Sequence, residues 1–452
     1  MSFPRYPKYK ASGVEWLGDV PEHWNLPKLK GLASFSGGGT PARENLSYWN
    51  GEIPWVSPKD MKTERILGAE ESITKEGLKS SAANLLPPGR VLMVVRSGIL
   101  KHTIPVAINE TDVAMNQDMK ALSFDARVCV GRFFQRWVQG LNDRLLLVWA
   151  KQGATVESIE HSYLADTVIP LPSVPEQLAI AAFLDRETAK IDELVEAQAR
   201  LIELLKEKRQ AVISHAVTKG LNPHAPMKPS GVEWLGEVPE HWEVWKLRGL
   251  SRLESGHTPS RQHPEYWVES ECTISWFTLA DVSFLRDVRN WLVNDTSQRI
   301  SELGMANSAA RLLPVGTVIL SRTASVGFSG ITGIELAVSQ DFAAWICGPR
   351  LSRFFLLFCL RAMSSEFRRL MMGSTHQTIY MPDIEAFRIP LPPSNEQLAI
   401  VAYLESETAR FDTLTAEANR AIDLLRERRS ALISAAVTGQ IDVRNAVTLE
   451  VA

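Results

Sequence analysis

EQLAIAAFLDRETAKIDELVEAQARLIELLKEKRQAVISHAV, residues 176–217, contains neither Gly nor Pro and is rich in Ala, Leu, Glu, Lys and Arg. It reads as one uninterrupted helix. At 1.5 Å per residue such a helix reaches roughly 60 Å, more than a single compact domain requires. Leu184, Thr188, Ile191, Val195, Gln198, Ile202, Leu205, Arg209, Val212 and Ala216 recur by alternating steps of four and three, which places them on one face. The stretch has a copy, EQLAIVAYLESETARFDTLTAEANRAIDLLRERRSALISAAV, at residues 396–437. Leu404, Thr408, Phe411, Thr415, Ala418, Ile422, Leu425, Arg429, Leu432 and Ala436 hold the same face there, each 220 residues after its partner.

Working outward, the whole chain proves to be duplicated. KASGVEWLGDVPEHW (Lys10 to Trp24) returns as KPSGVEWLGEVPEHW (Lys228 to Trp242). SGGGTP returns as ESGHTP, IPWVSPKDM as ISWFTLADV, SAANLLPPG as SAARLLPVG, VAMNQD as LAVSQD, and GATVESI as GSTHQTI. The offset drifts between 218 and 227 inside each unit and returns to 220 at the helix. The GVEWLG segment is the same in both copies and the helix keeps its pattern, whereas the residues between them diverge heavily. A solenoid needs three or more short units, so this is one domain with its helix, duplicated.

The expected fold class is α+β, with two mixed α/β domains separated and joined by two long helices. VLMVVRS and TVILSRT read as short strands after Pro-x-Gly turns, and GRFFQRWVQGLNDRLLLVWA and RLSRFFLLFCLRAMSSEFRRLMM as amphipathic helices. The boundaries follow as a first domain over 1–175 including the repeat segment 10–24, and a helix over 176–217. A linker spans 218–230, a second domain 231–395 with its repeat segment 231–242, a second helix 396–437, and a tail 438–452. A short Gly/Pro linker cannot carry the chain back along the first helix, so the second helix makes the return journey. The two are expected to pair as an antiparallel coiled coil about a pseudo-two-fold axis, with the domains at opposite ends and Gln198 near Ala418.

Bulk properties limit the function classes. The 452 residues are 45% apolar and 22% charged, with a net charge of −3. This is the composition of a soluble globular protein, and any polyanion-binding surface must be local. The longest apolar runs, Phe354 to Leu360 among them, are too short to span a bilayer, and MSFPRYPKYK lacks the apolar core of a signal peptide. Cys129, Cys272, Cys347 and Cys359 are scattered without metal or disulfide spacing. Cytoplasm is the expected compartment. The chain has no GxxxxGK[ST] loop, GxGxxG, HExxH or GxSxG. The Pro-Pro-aromatic signature of an amino-methyltransferase is missing, and Pro382-Asp383 is followed by no Glu-x-Lys of a nuclease core. No catalytic constellation and no metal site is expected.

Two variable units, each opened by GVEWLGxVPEHW and closed by IPLPxxxEQxxIxxxL with a long helix, resemble the specificity subunit of type I restriction–modification systems. The resemblance runs from about Lys10 to Gly439, and its specificity lies in the duplicated order of individually weak motifs. It implies a non-catalytic DNA-reading protein with two target recognition domains, each reading one half of a bipartite, asymmetric site on double-stranded DNA. The paired helices would set the distance between half-sites and dock two modification (methyltransferase) subunits. Restriction subunits would supply translocase and nuclease. S-adenosylmethionine, ATP and Mg would then sit on the partners, with no cofactor in this chain.

Base readout requires donors and acceptors on loops, with Lys and Arg on phosphates. In the first unit Thr40, Arg43, Lys59, Lys62, Arg96, Ser97, Lys101, His102, Asn116, Gln117 and Gln152 meet that description. In the second unit Thr258, Arg261, Gln262, Thr278, Arg322, Thr323, Ser325, Ser339, Gln340, His376 and Gln377 do so. Solvated loops and, for Gln117 and Gln340, turn-stabilising amides are the competing reading. Residues shared between copies suit fold support or phosphate. Differing ones, such as Lys101-His102 against Ser325-Val326, suit bases. Leu194, Leu201, Leu204, Ala421 and Leu424 widen the apolar stripe beyond a two-stranded seam and suit a partner helix. Two other readings stay open: a self-contained methyltransferase or nuclease with an unrecognised site, and a coiled-coil scaffold that binds only proteins.

Overall fold

The computed structural model describes residues 3–151, 153, 155–286, 291–371 and 377–446. It divides into two compact units, residues 1–197 with 421–452, and residues 198–420. Each unit thus owns part of both long helices.

The helices run over Val174–Lys219 and Ser394–Val437. Pro175 occupies the first turn of the former, where its missing N–H is harmless. Gly220, with φ +71°, ends it in the left-handed conformation that suits glycine, its N–H reaching Ala216 O at 3.1 Å. Gly439 does the same for the second helix at φ +75°. All the four-three positions quoted above are buried or half-buried. Their burial supplies the stability that a lone helix of such mixed sequence lacks.

In the first unit a five-stranded sheet has the order Ala33–Gly37, Met119–Phe124, Val91–Val94, Val106–Asn109, Arg65–Ile66. A three-stranded sheet carries Trp49–Val56 between Glu71–Ile73 and Ala114–Met115. The second unit repeats both. Its five strands are Ser251–Ser255, Phe342–Cys347, Val318–Ser321, Ser329–Thr332 and Leu292–Val293, and Ile274–Phe277 lies between Gln298–Ile300 and Ala337–Val338. The register repeats too, Val91 pairing with Ile108 and Val318 with Ile331.

Each stretch read as one amphipathic helix is a pair of helices, Gly131–Gly140 with Asn142–Trp149, and Arg353–Ala362 with Ser364–Leu370. They pack on the five-stranded sheet around Phe133, Phe134, Trp137 and Trp149 in one unit, and Phe355, Phe358 and Trp345 in the other. The GVEWLGxVPEHW segment caps the same core through its last residue. Trp24 and Trp242 are fully buried, and their indole N–H groups donate to Glu176 at 3.1 Å and Glu396 at 2.9 Å.

Candidate nucleic-acid interface

The loops at one end of the two sheets gather most of the polar positions picked from the sequence. In the first unit the turn after Ala114–Met115 is held by Asn116, whose Oδ1 accepts from Asp118 N–H at 3.0 Å. Gly38 passes so close to this turn that a Cβ would lie 2.1 Å from Asn116 O, and Gly256 meets Val338 O at 1.8 Å in the second unit. Glycine is required at both positions. The approach brings Thr40 Oγ1 onto Gln117 Oε1, and Thr258 Oγ1 onto Gln340 Oε1 at 2.6 Å. Asn116 and its counterpart Ser339 are buried, with Ser339 Oγ donating to Asp341 at 2.9 Å. Thr278 is also buried, capping its turn against Asp281. These three side chains are engaged within the fold, whereas Gln117 and Gln340 are exposed.

Arg43 and Arg261 adopt one arrangement. Each guanidinium lies over a tryptophan six residues on, 4.0 Å from the Trp49 centroid and 3.7 Å from that of Trp267. Arg43 also forms an ion pair with Glu71, which lowers the Glu71 pKa through that hydrogen bond. Arg261 reaches Gln298 at 3.5 Å. Stacking on an aromatic face fixes the direction of each cation, whose edge donates to Glu71 in the case of Arg43 and toward Gln298 in the case of Arg261.

A second group surrounds a cleft of about 730 Å³ in the first unit, bordered by Arg96, Ser97, Asp118, Lys151, Thr155 and Ser158. Arg96 Nε donates to Asp118 at 2.6 Å, and Ser97 caps the short turn Gly98–Lys101. Lys101 lies 3.8 Å from Glu157, Lys62 lies 3.0 Å from Glu70, and Lys59 and His102 are exposed. In the second unit Arg322 Nη1 donates to Ile379 O at 3.4 Å, while its buried Nε bonds to nothing among the described residues. Thr323 pairs with Thr378 where Arg96 pairs with Ser158. Ala324 sits at φ +58°, uncommon for a residue with a Cβ, with its N–H on Gln377 O at 2.9 Å. Gln262 and Gln377 are exposed and Ser325 is half-buried. Gln152 and His376 lie outside the described residues. Lys151, Thr155 and Ser158 were not picked from the sequence, although GATVESI and its copy mark the loop that holds two of them.

Sequence reading also passed over a buried charge network in the first unit. Arg136, fully buried, lies 2.7 Å from both Glu64 and Asp185, and Arg132 lies 2.9 Å and 2.8 Å from the same two carboxylates. Arg429 of the second helix joins through Glu64 at 3.4 Å and Asp192 at 2.9 Å. Burial pushes the Glu64 and Asp185 pKa values up, but the arginines outweigh it and hold both below the usual carboxylate range. The signal was present as two arginines and two glutamines, at 132, 135, 136 and 139, on the buried side of one helix.

Along the helices Leu194, Leu201, Leu204 and Leu424 are exposed and Ala421 is half-buried. Leu414, the counterpart of Leu194, and Tyr403 are exposed as well. Among the described residues no His/Cys/Asp/Glu cluster could hold a metal ion, and no helix is long and apolar enough to cross a membrane.

The model of the type I restriction modification DNA specificity domain matches this chain twice, over residues 21–204 and 239–423. The chain belongs to that family. Its curated relatives include the EcoR124I/EcoR124II specificity subunit of Escherichia coli, 32% identical over 43% of this chain and 46% of that one. The MjaIX specificity subunit of Methanocaldococcus jannaschii is 23% identical over 94% of this chain and 95% of that one. Two solved structures share the fold at 18% identity. One, from work on complex assembly and conformational transition of the type I R-M system, has a TM-score of 0.70 over 92% of this chain and 98% of that one. The other, the HsdS subunit of Thermoanaerobacter tengcongensis, has a TM-score of 0.55 over 93% and 98%. This specificity subunit carries two target recognition domains and is a non-catalytic DNA-recognition component, which disfavours the self-contained enzyme and the purely protein-binding scaffold.

Proposed function

We propose that each recognition domain of this specificity subunit reads one half of a bipartite, asymmetric DNA site. The long helices set the distance between halves and dock two methyltransferase subunits. One observation carries the reading: equivalent backbone positions present different chemistry in the two copies. The bridge that joins Arg96 to Ser158 joins Thr323 to Thr378, so one frame offers a cation in one unit and a hydroxyl in the other. The cation suits guanine or phosphate, and the hydroxyl is a weaker, less selective donor. Thr40–Gln117 and Thr258–Gln340, the same in both copies, suit positioning.

In this reading Arg43, Lys59, Lys62, Arg96, Lys101, Arg261 and Arg322 face phosphate or base edges. Ser97, His102, Gln117, Gln262, Thr323, Ser325, Gln340 and Gln377 supply hydrogen bonds. Leu194, Leu201, Leu204, Ala421 and Leu424 receive partner helices. S-adenosylmethionine resides on the methyltransferase, ATP and Mg on a restriction subunit, and the assembly works in the cytoplasm. Mapping methylated adenines after co-expression with the methyltransferase tests it. Exchanging residues 25–170 for those of another specificity subunit should change one half-site and leave the other intact. A change in both halves, or in neither, would refute the assignment.

A further inference from the structure

The two units are copies, yet they close differently where the recognition domain meets the helices. Gln177 Oε1 accepts from Val130 N–H at 2.8 Å, and Gln397 Oε1 accepts from Ser352 N–H at 2.8 Å. These two bonds fix the correspondence of Gly131–Gly140 with Arg353–Ala362, so that Gly140 answers to Ala362, Gln139 to Arg361 and Asn142 to Ser364.

In the first unit the contact is tight. A Cβ on Gly140 would lie 3.0 Å from Ile433 Cγ2 of the second helix. Asn142 Oδ1 accepts from Ile104 N–H at 2.8 Å and from Thr103 Oγ1 at 3.3 Å, stitching the flank shut. In the second unit Ala362 adds the methyl that Gly140 excludes, and Ser364 is too short to stitch. A cavity of about 540 Å³ lies in the corresponding place.

Its walls are apolar, from Ile213, Leu285, Phe328, Leu360, Phe367 and Met371. Four cations stand around them: Lys206 and Arg209 from the first long helix, and Arg361 and Arg368 from the helix pair. No carboxylate borders it among the described residues. Arg209 faces Asp412 at 2.7 Å on its other side. Burial, and next the charge of Arg209, lower the Arg361 pKa to about 10, against the opposing pull of Asp412. Lys206 pairs with Glu203 at 2.8 Å, so among the described residues the four cations stand against two carboxylates, Glu203 and Asp412, and leave the rim of the apolar hollow net positive. A hollow of this size suits a small molecule rather than a helix, since ligand pockets run from roughly 300 to 1,000 Å³.

We propose that this cavity of the second unit binds a small amphipathic anion, a carboxylate or phosphate group on an unbranched apolar body. The apolar body would fill the hollow, and the anionic group would meet Lys206 and Arg368 at the rim, with Arg361 behind them. The inference is independent of which DNA sequence the domains read.

Titrating the full chain, held in its methyltransferase complex, with decanoate and with decyl phosphate tests it by calorimetry. Saturable binding to one site is expected, with decanol and acetate each at least tenfold weaker because each lacks one half of the chemistry. Lys206→Glu with Arg368→Glu, both exposed and so compatible with folding, should weaken decanoate at least tenfold. Ser364→Phe should abolish binding by filling the hollow while leaving thermal unfolding unchanged or raised. Equal affinity for decanol, or decanoate binding indifferent to both variants, overturns the proposal. Displacement of decanoate when the methyltransferase is added to the free chain also overturns it, since the occupant would then be an acidic segment of that partner.

Discussion

The Arg209 guanidinium lies 2.7 Å from Asp412 Oδ1, and its copy Arg429 lies 2.9 Å from Asp192, the copy of Asp412. In each pair an arginine late in one long helix meets an aspartate early in the other. Equal steps separate Asp192 from Arg209 and Asp412 from Arg429, so both pairs obey one antiparallel register. The duplication thus carries this contact with it: an exchange of helices between copies conserves the Arg–Asp pair.

The Arg209–Asp412 pair is half-buried, and Arg209 Nε has no other partner among the described residues, so removing the aspartate strands a cation. Asp412→Ala should cost about 2–3 kcal/mol, more than an exposed pair would. Arg209→Ala with Asp412→Ala together should cost less than the two single losses added, giving a coupling of about 1 kcal/mol in a denaturant double-mutant cycle. Strict additivity would show that the pair contributes no specific interaction.

Acid should weaken the first unit through Glu64 and Asp185. Their folded pKa values lie below those of the unfolded chain, so the network's contribution is fully present above the ordinary carboxylate range. It is lost as pH falls from the ordinary carboxylate range through the depressed folded values. Asp185→Asn should flatten the fall of the urea midpoint across that window and cost roughly 3 kcal/mol at neutral pH, because Arg136 is left buried with fewer partners. In the second unit the positions of Arg132 and Arg136 are held by Phe354 and Phe358, and Trp291 packs edge-on against Phe354 at 5.2 Å. No matching acid sensitivity is expected from that site.

The helices, the repeat and the order of segments were legible because a 3.6-residue period and a duplicated motif survive in one sequence. The positions quoted from Leu184 to Ala216 and from Leu404 to Ala436 are the ones the structure buries or half-buries. The strand registers were not legible. Strands such as Arg65–Ile66 and Leu292–Val293 are two residues long, and they are fixed by the strands beside them rather than by any period of their own. Side-chain roles within the loops were legible only in part. Asn116, Thr278 and Ser339 carry the groups that base readout uses, but the same groups close turns, and only burial separates the two uses.

Glu176 is buried and accepts from Tyr6 Oη at 2.7 Å and Trp24 Nε1 at 3.1 Å, with His23 at 3.0 Å. Glu396 is more open and has His241 at 2.7 Å and Trp242 at 2.9 Å. Glu176→Ala should therefore destabilise the chain by about 1–2 kcal/mol more than Glu396→Ala, since it leaves one further buried group, the Tyr6 hydroxyl, unpaired. Thermal unfolding of both variants reads the difference, and equal losses would mean that Tyr6 contributes nothing.

If the helices set the half-site distance, their length should appear in the DNA site. Inserting one heptad at opposed points of both helices keeps the four-three seam in phase and adds about 10 Å. That is about three base pairs at 3.4 Å each, so methylated adenines should map to the same half-sites about three base pairs further apart. An insertion in one helix alone breaks the register of Arg209 with Asp412 and should cost assembly instead. An unchanged spacer with the paired insertion would show that the distance is set elsewhere.

The exposed leucines of the helices separate docking from folding. Leu201 and Leu204 are exposed in the first helix, and their copies are Ala421 and Leu424. An exposed leucine replaced by glutamate leaves the seam untouched and should change folding stability by less than about 0.5 kcal/mol. If these positions meet an apolar partner helix, burying the new carboxylate there costs several kcal/mol. Leu201→Glu with Leu204→Glu should then weaken capture of the methyltransferase by at least a hundredfold in a titration followed by light scattering. Leu424→Glu should give a smaller loss, because its neighbour Ala421 offers less apolar surface. Full assembly with all three positions changed would place the methyltransferase on another surface.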